Sequence, residues 1–384
     1  MLQIIPALIA FFTGLLAIPV VIKIIKKTNL LDEPGGRKIH KEAVPSMGGI
    51  GIVCAILGGL MVAFSYQQWL EVRFLMMGLG VMFLLGLRDD MVELSALQKL
   101  FGQLLAIAFV VVLGDIRISS FYGFLGVEEL PIWMSYGLTV FTIIGLTNAF
   151  NLVDGLDGLA GTLSLISFLF LGGWFLSTGF VEFGVMSLVT AGGILSFMVY
   201  NWHPAKIFMG DTGSLTLGFM LSVFSVFFVN ANGTLLADGH PLKFHAPITA
   251  GLALVLISCF DTLRVMVKRM KRGKSPMAAD KSHVHHFLMR MGLRHDQVTC
   301  LLGGVKLSFL GLVVATSGFS DSVLLPFVLG TVVVLCLTLD AVTLRKVRKI
   351  AKNSPRILTL DSPNSFKDRQ VENSKKVLER EIMQ

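Results

Sequence analysis

Acidic side chains are scarce in this sequence, and the informative ones stand at the ends of apolar stretches. Of its 384 residues, 25 are Asp or Glu. Adjacent carboxylates at a low-dielectric boundary repel one another, and a divalent cation relieves that repulsion. An all-oxygen ligand set favours Mg²⁺, or Mn²⁺, over zinc. The acids in question are Asp89, Asp90, Asp154, Asp157, Asp211 and Asp261.

Two glycine-containing segments could hold a ligand. The first runs from Gly210 to Ser214 and leads into an apolar stretch. Glycines let a backbone approach a ligand, and the N–H groups at a helix start attract anions. The same residue types also form ordinary helix caps, so this segment is a weak signal by itself. In the second segment Asn151, Asp154 and Asp157 are either turn residues or polar ligands for a sugar or base.

Two basic segments add candidate groups. His283, His285 and His286 lie in a basic loop, and on a helix the first and third would share a face. Zinc would need further suitably spaced ligands, so the sequence favours a clamp for a diphosphate. Arg37 and His40 lie in the other segment, which is either a phosphate site or a charged loop that sets topology.

The composition excludes several classes of protein. The chain is 54% hydrophobic and 15% charged, with a mean hydropathy of +0.74. Soluble domains carry about 25% charged residues. A soluble enzyme, a disordered protein and a nucleic-acid-binding domain are therefore excluded. The four cysteines are scattered, which predicts neither a disulfide framework nor a metal site.

The apolar stretches predict an all-α polytopic membrane protein. A membrane-spanning helix needs about 20 mostly apolar residues, and eleven segments qualify. The third, fourth and tenth are short, which leaves a count of ten open. The segments are 2–25, 47–65, 74–87, 100–114, 132–149, 159–176, 183–200, 214–229, 247–267, 305–317 and 323–344.

The distribution of basic residues predicts the orientation. With the N-terminus outside, every Lys and Arg except Arg73, Arg117 and Lys243 falls on one face. Cytoplasmic loops carry an excess of Lys and Arg, so this face is expected to be cytoplasmic. The C-terminus and the site formed by Asp89, Asp90 and Asp211 are expected on the same face. Residues 1–345 then form the membrane domain and 346–384 a polar cytoplasmic tail. A small external hairpin is expected from residue 117 to residue 124.

Taken together, these motifs resemble a known family, the polyprenyl-phosphate N-acetylhexosamine-1-phosphate transferases, in the superfamily of phospho-MurNAc-pentapeptide translocase. The matching motifs occur in the family's order over most of the chain. They are Asp32-x-Pro34, Arg37-x-x-His40, Pro45-x-x-Gly48-Gly49, Asp89-Asp90, Asn151-x-x-Asp154-Gly155-x-Asp157-Gly158-Leu159, Phe208-Met209-Gly210-Asp211-x-Gly213-Ser214 and His283-x-His285-His286.

The resemblance implies a fold, a reaction and a location. It implies ten or eleven helices in the inner membrane of a bacterium, with a homodimer as a family-level expectation. The phosphate of undecaprenyl phosphate would attack the β-phosphate of a UDP-N-acetylhexosamine, and UMP would leave. The product would start O-antigen, teichoic acid or another envelope glycan. The sequence does not distinguish GlcNAc from another N-acetylhexosamine.

The resemblance also implies roles for single residues. Asp211 is the expected Mg²⁺ ligand, Asp90 assists it, and Asp89 orients or deprotonates the lipid phosphate. A phosphate monoester has a second pKa of about 6, so positioning should matter more than base catalysis. The expected substrate-binding residues are Lys99, Arg37, His40, Asn151, Asp154, Asp157, Arg264, His283, His285 and His286.

Two other functions remain as alternatives. The first is the muramyl-pentapeptide transferase of peptidoglycan synthesis. Val284 interrupts the histidine run, which favours the simpler UDP-sugar donor. The second is a secondary transporter, which would place carboxylates near the bilayer midplane in broken helices. Only Asp261 is expected inside a span, which disfavours that function.

Overall fold

The computed structural model describes residues 2–28, 31–32, 44–271, 273, 275 and 283–353. Within these ranges the protein is all-α apart from one two-stranded antiparallel sheet, β1 (Leu31–Asp32) with β2 (Val44–Pro45). The helices are α1 Ile5–Thr28, α2 Gly49–Ala63, α3 Tyr66–Met91, α4 Ala96–Ala108, α5 Ile132–Val153, α6 Leu159–Ser177, α7 Val181–Asn201, α8 Gly210–Asn230, α9 Pro247–Lys271, α10 Val284–Arg290, α11 His295–Ala315 and α12 Asp321–Asn353.

The predicted spans are confirmed as helices, with one change in which of them is short. Among the described residues, ten helices are long and apolar enough to cross a membrane. The third, fourth and tenth segments are all long enough, because α3, α11 and the joined stretch Ala96–Leu113 extend beyond their apolar centres. The short helix is instead α2, with 15 residues.

The chain divides into two compact units. The first comprises Met1–Phe260 and His295–Val328, and the second comprises Asp261–Arg294 and Leu329–Gln384. The boundary between membrane domain and tail predicted at residue 345 stays a prediction. Helix α12 continues to Asn353, and residues 354–384 lie outside the described ranges.

Helix α8 is the core of the first unit. It packs against α3 and α5, with further contacts to α2 and α6. In the stretch Gly210–Leu235, 94% of the most apolar window is buried. Eight rings of α6, α7 and α8 pack together at the end distant from residue 210, and Phe183 stacks on Phe227 with centroids 3.7 Å apart. The other six are Phe168, Phe170, Phe175, Phe224, Phe228 and Trp174.

Glycines allow the helices around α8 to cross closely. A Cβ on Gly192 of α7 would lie 2.2 Å from the carbonyl oxygen of Ala7 in α1. A Cβ on Gly86 of α3 would lie 2.4 Å from the carbonyl oxygen of Asp211. In a membrane the hydrophobic effect does not drive helices together. Small residues let the helices approach closely, so that van der Waals packing stabilises the crossing. At Gly86 they also bring the end of α3 against the start of α8.

The segment before α2 is hydrogen-bonded along the segment before α8. Gly48 N–H donates to Phe208 O at 2.8 Å, and Phe208 N–H donates to Pro45 O at 2.8 Å. A Cβ on Gly49 would lie 2.1 Å from the backbone nitrogen of Gly213. Two of the sequence motifs therefore support each other through their backbones.

A small hairpin is present, but its paired residues run from Ser119 to Leu130, beyond the predicted residues 117–124. A single antiparallel bridge joins Ser120 and Glu129, and Phe121 N–H donates to Glu128 O at 2.9 Å. A short 3₁₀ turn at Phe124–Gly126 closes it.

Gly86→Ala should destabilise the protein, because the added methyl group meets backbone that has no room to move. Overpacking of this kind costs about 1–3 kcal/mol. Gly80→Ala in the same helix is the control, since a Cβ there meets nothing within 4 Å. It should be neutral or stabilising by about 0.5–1 kcal/mol. Thermal unfolding in detergent measures both, and equal shifts in Tm would contradict the close crossing.

Candidate active site

Asp90 joins the end of α3 to the start of α8. Its Oδ1 accepts from Asp211 N–H at 2.8 Å, and its Oδ2 accepts from Thr212 N–H at 2.9 Å and Thr212 Oγ1 at 2.5 Å. A carboxylate at a helix N-terminus satisfies unpaired amides and complements the helix dipole. Gly210 has φ +71°, and a Cβ on it would lie 2.6 Å from Asp90 Oδ2. Glycine is therefore required where the chain turns around this carboxylate.

Lys99 bridges the other two predicted catalytic carboxylates. Its Nζ forms an ion pair with Asp89 Oδ2 and lies 3.5 Å from Asp211 Oδ2. Asp89 is 7% exposed, and its Oδ1 accepts from Leu94 N–H at 2.8 Å. Lys99 stands in the first turn of α4, which begins at a capping box on Ser95. The structure therefore brings together three of the predicted site residues, Asp89, Lys99 and Asp211.

Asn151 holds the remaining oxygen of Asp211. It stands in the last turn of α5, and its Nδ2 donates to Asp211 Oδ1 at 2.5 Å and to Ser214 Oγ at 2.7 Å. These bonds fix the Asp211 side chain between α5 and α4. Asn151 is thus part of the acidic site rather than an isolated turn residue.

Asp154 follows directly after α5, and its pKa is raised to about 7. Burial is the main cause, and the negative charges of Asp211, Asp90 and Asp157 add to it. The contribution of these three acids to the shift indicates a region with more negative charge than Lys99 alone balances. This excess charge, together with the all-oxygen donors of Asp89, Asp90 and Asp211, fits Mg²⁺.

Asp157 forms a separate cluster with two histidines that the sequence analysis missed. Its Oδ2 lies 2.7 Å from His203 Nδ1 and 3.3 Å from His295 Nδ1. Despite burial, these hydrogen bonds lower the pKa of Asp157 to about 2. Two ligands of one tetrahedral zinc ion are about 3.3 Å apart, since each bond is about 2.0 Å. The Asp157–His203 distance of 2.7 Å is shorter than this spacing and is that of a hydrogen bond. The geometry therefore favours hydrogen bonding over a zinc site.

Asn201 completes the connection between these loops. Its Oδ1 accepts from Gly158 N–H at 2.9 Å, and its Nδ2 donates to Ile207 O at 2.8 Å. His203, Asn201 and His295 were missed because Asp157, residues 201–203 and residue 295 are far apart in sequence. The spacing of these residues in the sequence does not predict that they are in contact.

The histidine run belongs to the second unit, together with Arg264. His283 is the N-cap of α10 rather than part of it, and its ring stacks on that of His285 with centroids 5.7 Å apart. The expectation that His283 and His286 share a helix face holds only if both lie in the helix, so it does not apply here. The helix begins one residue later than that expectation required. Arg264 lies with its Cζ 4.7 Å from the ring centroid of Phe287.

Two predicted binding residues have no structural description. Arg37 and His40 lie outside the described residues. Their roles stay predictions, as do the ligand and substrate roles of the acids, amide, lysine and histidines above.

Comparisons with known proteins identify the family. The model of glycosyl transferase family 4 matches residues 72–229, which contain both the acidic site and His203. A Bacillus subtilis protein named "Probable undecaprenyl-phosphate N-acetylglucosaminyl 1-phosphate transferase" is 36% identical over 75% of this chain and 77% of its own length. The chain belongs to the polyprenyl-phosphate N-acetylhexosamine-1-phosphate transferases.

Two further relatives come from other bacteria. A decaprenyl-phosphate N-acetylglucosaminephosphotransferase of Mycolicibacterium smegmatis is 32% identical over 70% of this chain and 71% of its own length. An undecaprenyl-phosphate alpha-N-acetylglucosaminyl 1-phosphate transferase of Escherichia coli K12 is 30% identical over 77% of this chain and 80% of its own length. The family resemblance stated from the motifs is confirmed.

The raised pKa of Asp154 should make the stability of the metal-free transferase depend on pH. The folded-state pKa, about 7, exceeds the ordinary value of 3.8. The resulting contribution to the free energy of unfolding is therefore full below about pH 4 and is lost as pH rises through 7. Asp154→Asn removes this contribution, so the stability of the variant relative to wild type should rise from pH 5 to pH 8.

Chemical unfolding in detergent with EDTA measures this difference. Asp238→Asn is the control, since Asp238 is fully exposed and its lowered pKa keeps it ionised at both pH values. A stability difference for Asp154→Asn that does not change with pH would contradict the assignment.

Proposed function

We propose that this protein transfers N-acetylhexosamine-1-phosphate, specifically GlcNAc-1-phosphate, from UDP-GlcNAc to undecaprenyl phosphate and releases UMP. The observation that carries the proposal is the cluster of Asp89, Asp211 and Lys99, held where helix ends meet. A water-soluble donor reaches such a site from outside the bilayer, and a lipid phosphate reaches it from the membrane face. Family membership supports the same reaction.

The acidic site is proposed to hold Mg²⁺ through Asp211 and Asp90. Asp211 is the stronger candidate, because Asp90 accepts three short hydrogen bonds from the start of α8. The contact of Asp211 Oδ2 with Lys99 Nζ is longer, at 3.5 Å. Asp89 lies beside Lys99 and is a further oxygen donor within the cluster. When bound, Mg²⁺ neutralises charge on the diphosphate and the leaving UMP.

The reaction is a displacement at the β-phosphorus of the donor. An oxygen of the lipid phosphate forms the new bond to that phosphorus, and the bond between the phosphorus and the oxygen bridging to the α-phosphate breaks. UMP leaves with the bridging oxygen and its electron pair. Because the lipid phosphate is largely ionised near neutrality, Asp89 has to orient it rather than deprotonate it.

Lys99 is proposed to change partners when substrate binds. Its ammonium group forms ion pairs with Asp89 and Asp211. A lipid phosphate entering beside Asp89 would gain this positive charge, and Asp211 would be left to hold Mg²⁺. Asn151, Asp154 and Asp157 are proposed to bind the nucleotide or to organise the loops around it. His283, His285, His286 and Arg264 are proposed to hold the diphosphate and sugar.

The proposed setting is the bacterial inner membrane, with the acidic site on the cytoplasmic side and the N-terminus outside. UDP-sugars are cytoplasmic, and the excess of Lys and Arg on this face supports the orientation. The product would start O-antigen, teichoic acid or another envelope glycan. A homodimer remains a proposal from the family.

UMP release by purified protein tests the reaction. Undecaprenyl phosphate and Mg²⁺ are supplied with UDP-GlcNAc, with UDP-MurNAc-pentapeptide or with other UDP-sugars. We expect release with UDP-GlcNAc. Release only with the pentapeptide donor would assign the protein to peptidoglycan synthesis, and no release from any donor by folded protein would reject the transferase proposal.

Asp89→Asn, Asp90→Asn and Asp211→Asn should each lose most of the activity while the protein still inserts. Each removes a charge from the cluster, and single groups of this kind are worth about 100-fold or more. A Mg²⁺ titration of Asp211→Asn tests its ligand role directly. Wild-type turnover by this variant at every Mg²⁺ concentration would contradict the role.

Two controls accompany these variants. Asp238→Asn makes the same chemical change in a fully exposed side chain and should leave turnover unchanged. A variant without Cys54, Cys259, Cys300 and Cys336 should also turn over normally, since the cysteines play no part in the proposed chemistry. Loss of activity in the cysteine-free protein would show that a thiol is required.

A further inference from the structure

Asp261 makes two contacts with the start of the histidine run. Its Oδ2 lies 2.9 Å from His283 Nδ1, and its Oδ1 accepts from Val284 N–H at 2.8 Å. Asp261 is 4% exposed and His283 is 5% exposed. One carboxylate in α9 therefore fixes both a histidine ring and the first turn of α10.

The contact with Asp261 determines which ring nitrogen of His283 remains for other partners. An ionised carboxylate only accepts hydrogen bonds, so His283 Nδ1 carries a proton and donates it. Nε2 is then the nitrogen directed away from Asp261. In metal and catalytic sites, a hydrogen bond from one ring nitrogen of a histidine to a carboxylate likewise sets the tautomer and the direction of the ring.

The rest of α10 is held by a second set of contacts within the same unit. Asp340 of α12 forms ion pairs with Arg264 Nη2 and Lys268 Nζ of α9, each at 2.6 Å. Both cations lie over the ring of Phe287 in α10, at 4.7 and 4.8 Å from its centroid. Asp340 thus supports the helix through Phe287. Asp261 contacts the histidine directly, and its Oδ1 also lies 3.4 Å from Arg264 Nη1.

We infer that Asp261 is a positioning residue that orients His283 for binding the donor diphosphate. This inference rests on the proposed function, which assigns the diphosphate to the histidine run. It adds a residue that the motifs did not include among the binding groups. Asp261 acts through His283 and does not itself touch the substrate.

A double-mutant cycle separates positioning from support of the fold. Loss of a hydrogen bond to a charged group is worth about ten- to hundredfold. Asp261→Asn should therefore lower kcat/KM for UDP-GlcNAc by about that factor in the wild-type background. In the His283→Ala background it should change kcat/KM by less than about twofold, because coupled residues do not add. Asp261→Glu should recover part of the loss.

Asp340→Asn is the matched control, because it removes an acid of the same unit that forms ion pairs with Arg264 and Lys268. Its effect should be the same fold-change in both backgrounds. If the fold-losses in kcat/KM of Asp261→Asn and His283→Ala also multiply in the double variant, the positioning role is overturned. Asp261 is then a structural residue only.

The protonation of the His283 ring nitrogens can be measured without turnover, so the role of Asp261 can be tested independently of the reaction. ¹⁵N spectra of histidine-labelled protein, with His283 assigned by its loss in His283→Ala, report which ring nitrogen carries the proton. We expect a protonated Nδ1 in wild type and a changed pattern in Asp261→Ala, which removes the acceptor altogether. An unchanged pattern overturns the inference. The expected pattern in protein that releases no UMP from any donor would instead reject the proposed function while leaving the orientation of His283 established.

Discussion

The acidic site depends on one carboxylate that closes a helix end. Asp90 accepts hydrogen bonds from two backbone amides and one hydroxyl group in the first residues of α8. A buried helix start with unpaired N–H groups is costly, so this contact stabilises the crossing of α3 and α8 and at the same time aims Asp211. The neighbouring Asp89 points to Lys99 instead. Two adjacent acids therefore serve different purposes because their surroundings differ.

Glycines make that arrangement physically accessible. The carboxylate of Asp90 reaches the α8 amides only because Gly210 turns with positive φ and Gly86 lets the helices approach. The segment at Pro45–Gly49 then runs against Phe208 and Met209 through backbone hydrogen bonds. Motif residues that carry no reactive group thus set the distances between those that do. Ligand chemistry and close packing are inseparable in this part of the chain.

Sequence reasoning found most of the fold and the acidic site, and its misses have physical reasons. Apolar length alone predicted the spans, and scarcity of acids pointed to Asp89, Asp90 and Asp211. The short helix was misplaced because α3 and α11 extend into polar residues, which hydropathy does not count as span. His203 and His295 were missed because only the folded chain brings them to Asp157. The ring partners of His283 depended on where α10 begins, which spacing did not fix.

The burial of α8 has a consequence for how the protein is made. A helix that is 94% buried along its apolar stretch has almost no surface for lipid, and its first turn carries the charge of Asp211. Synthesis proceeds from the N-terminus, so α3 and α5 are made before α8. Asp90 and Asn151, which accept from and donate to α8, are therefore already part of the chain when α8 is synthesised. The hydrogen-bonded site can form only after α8 has been made.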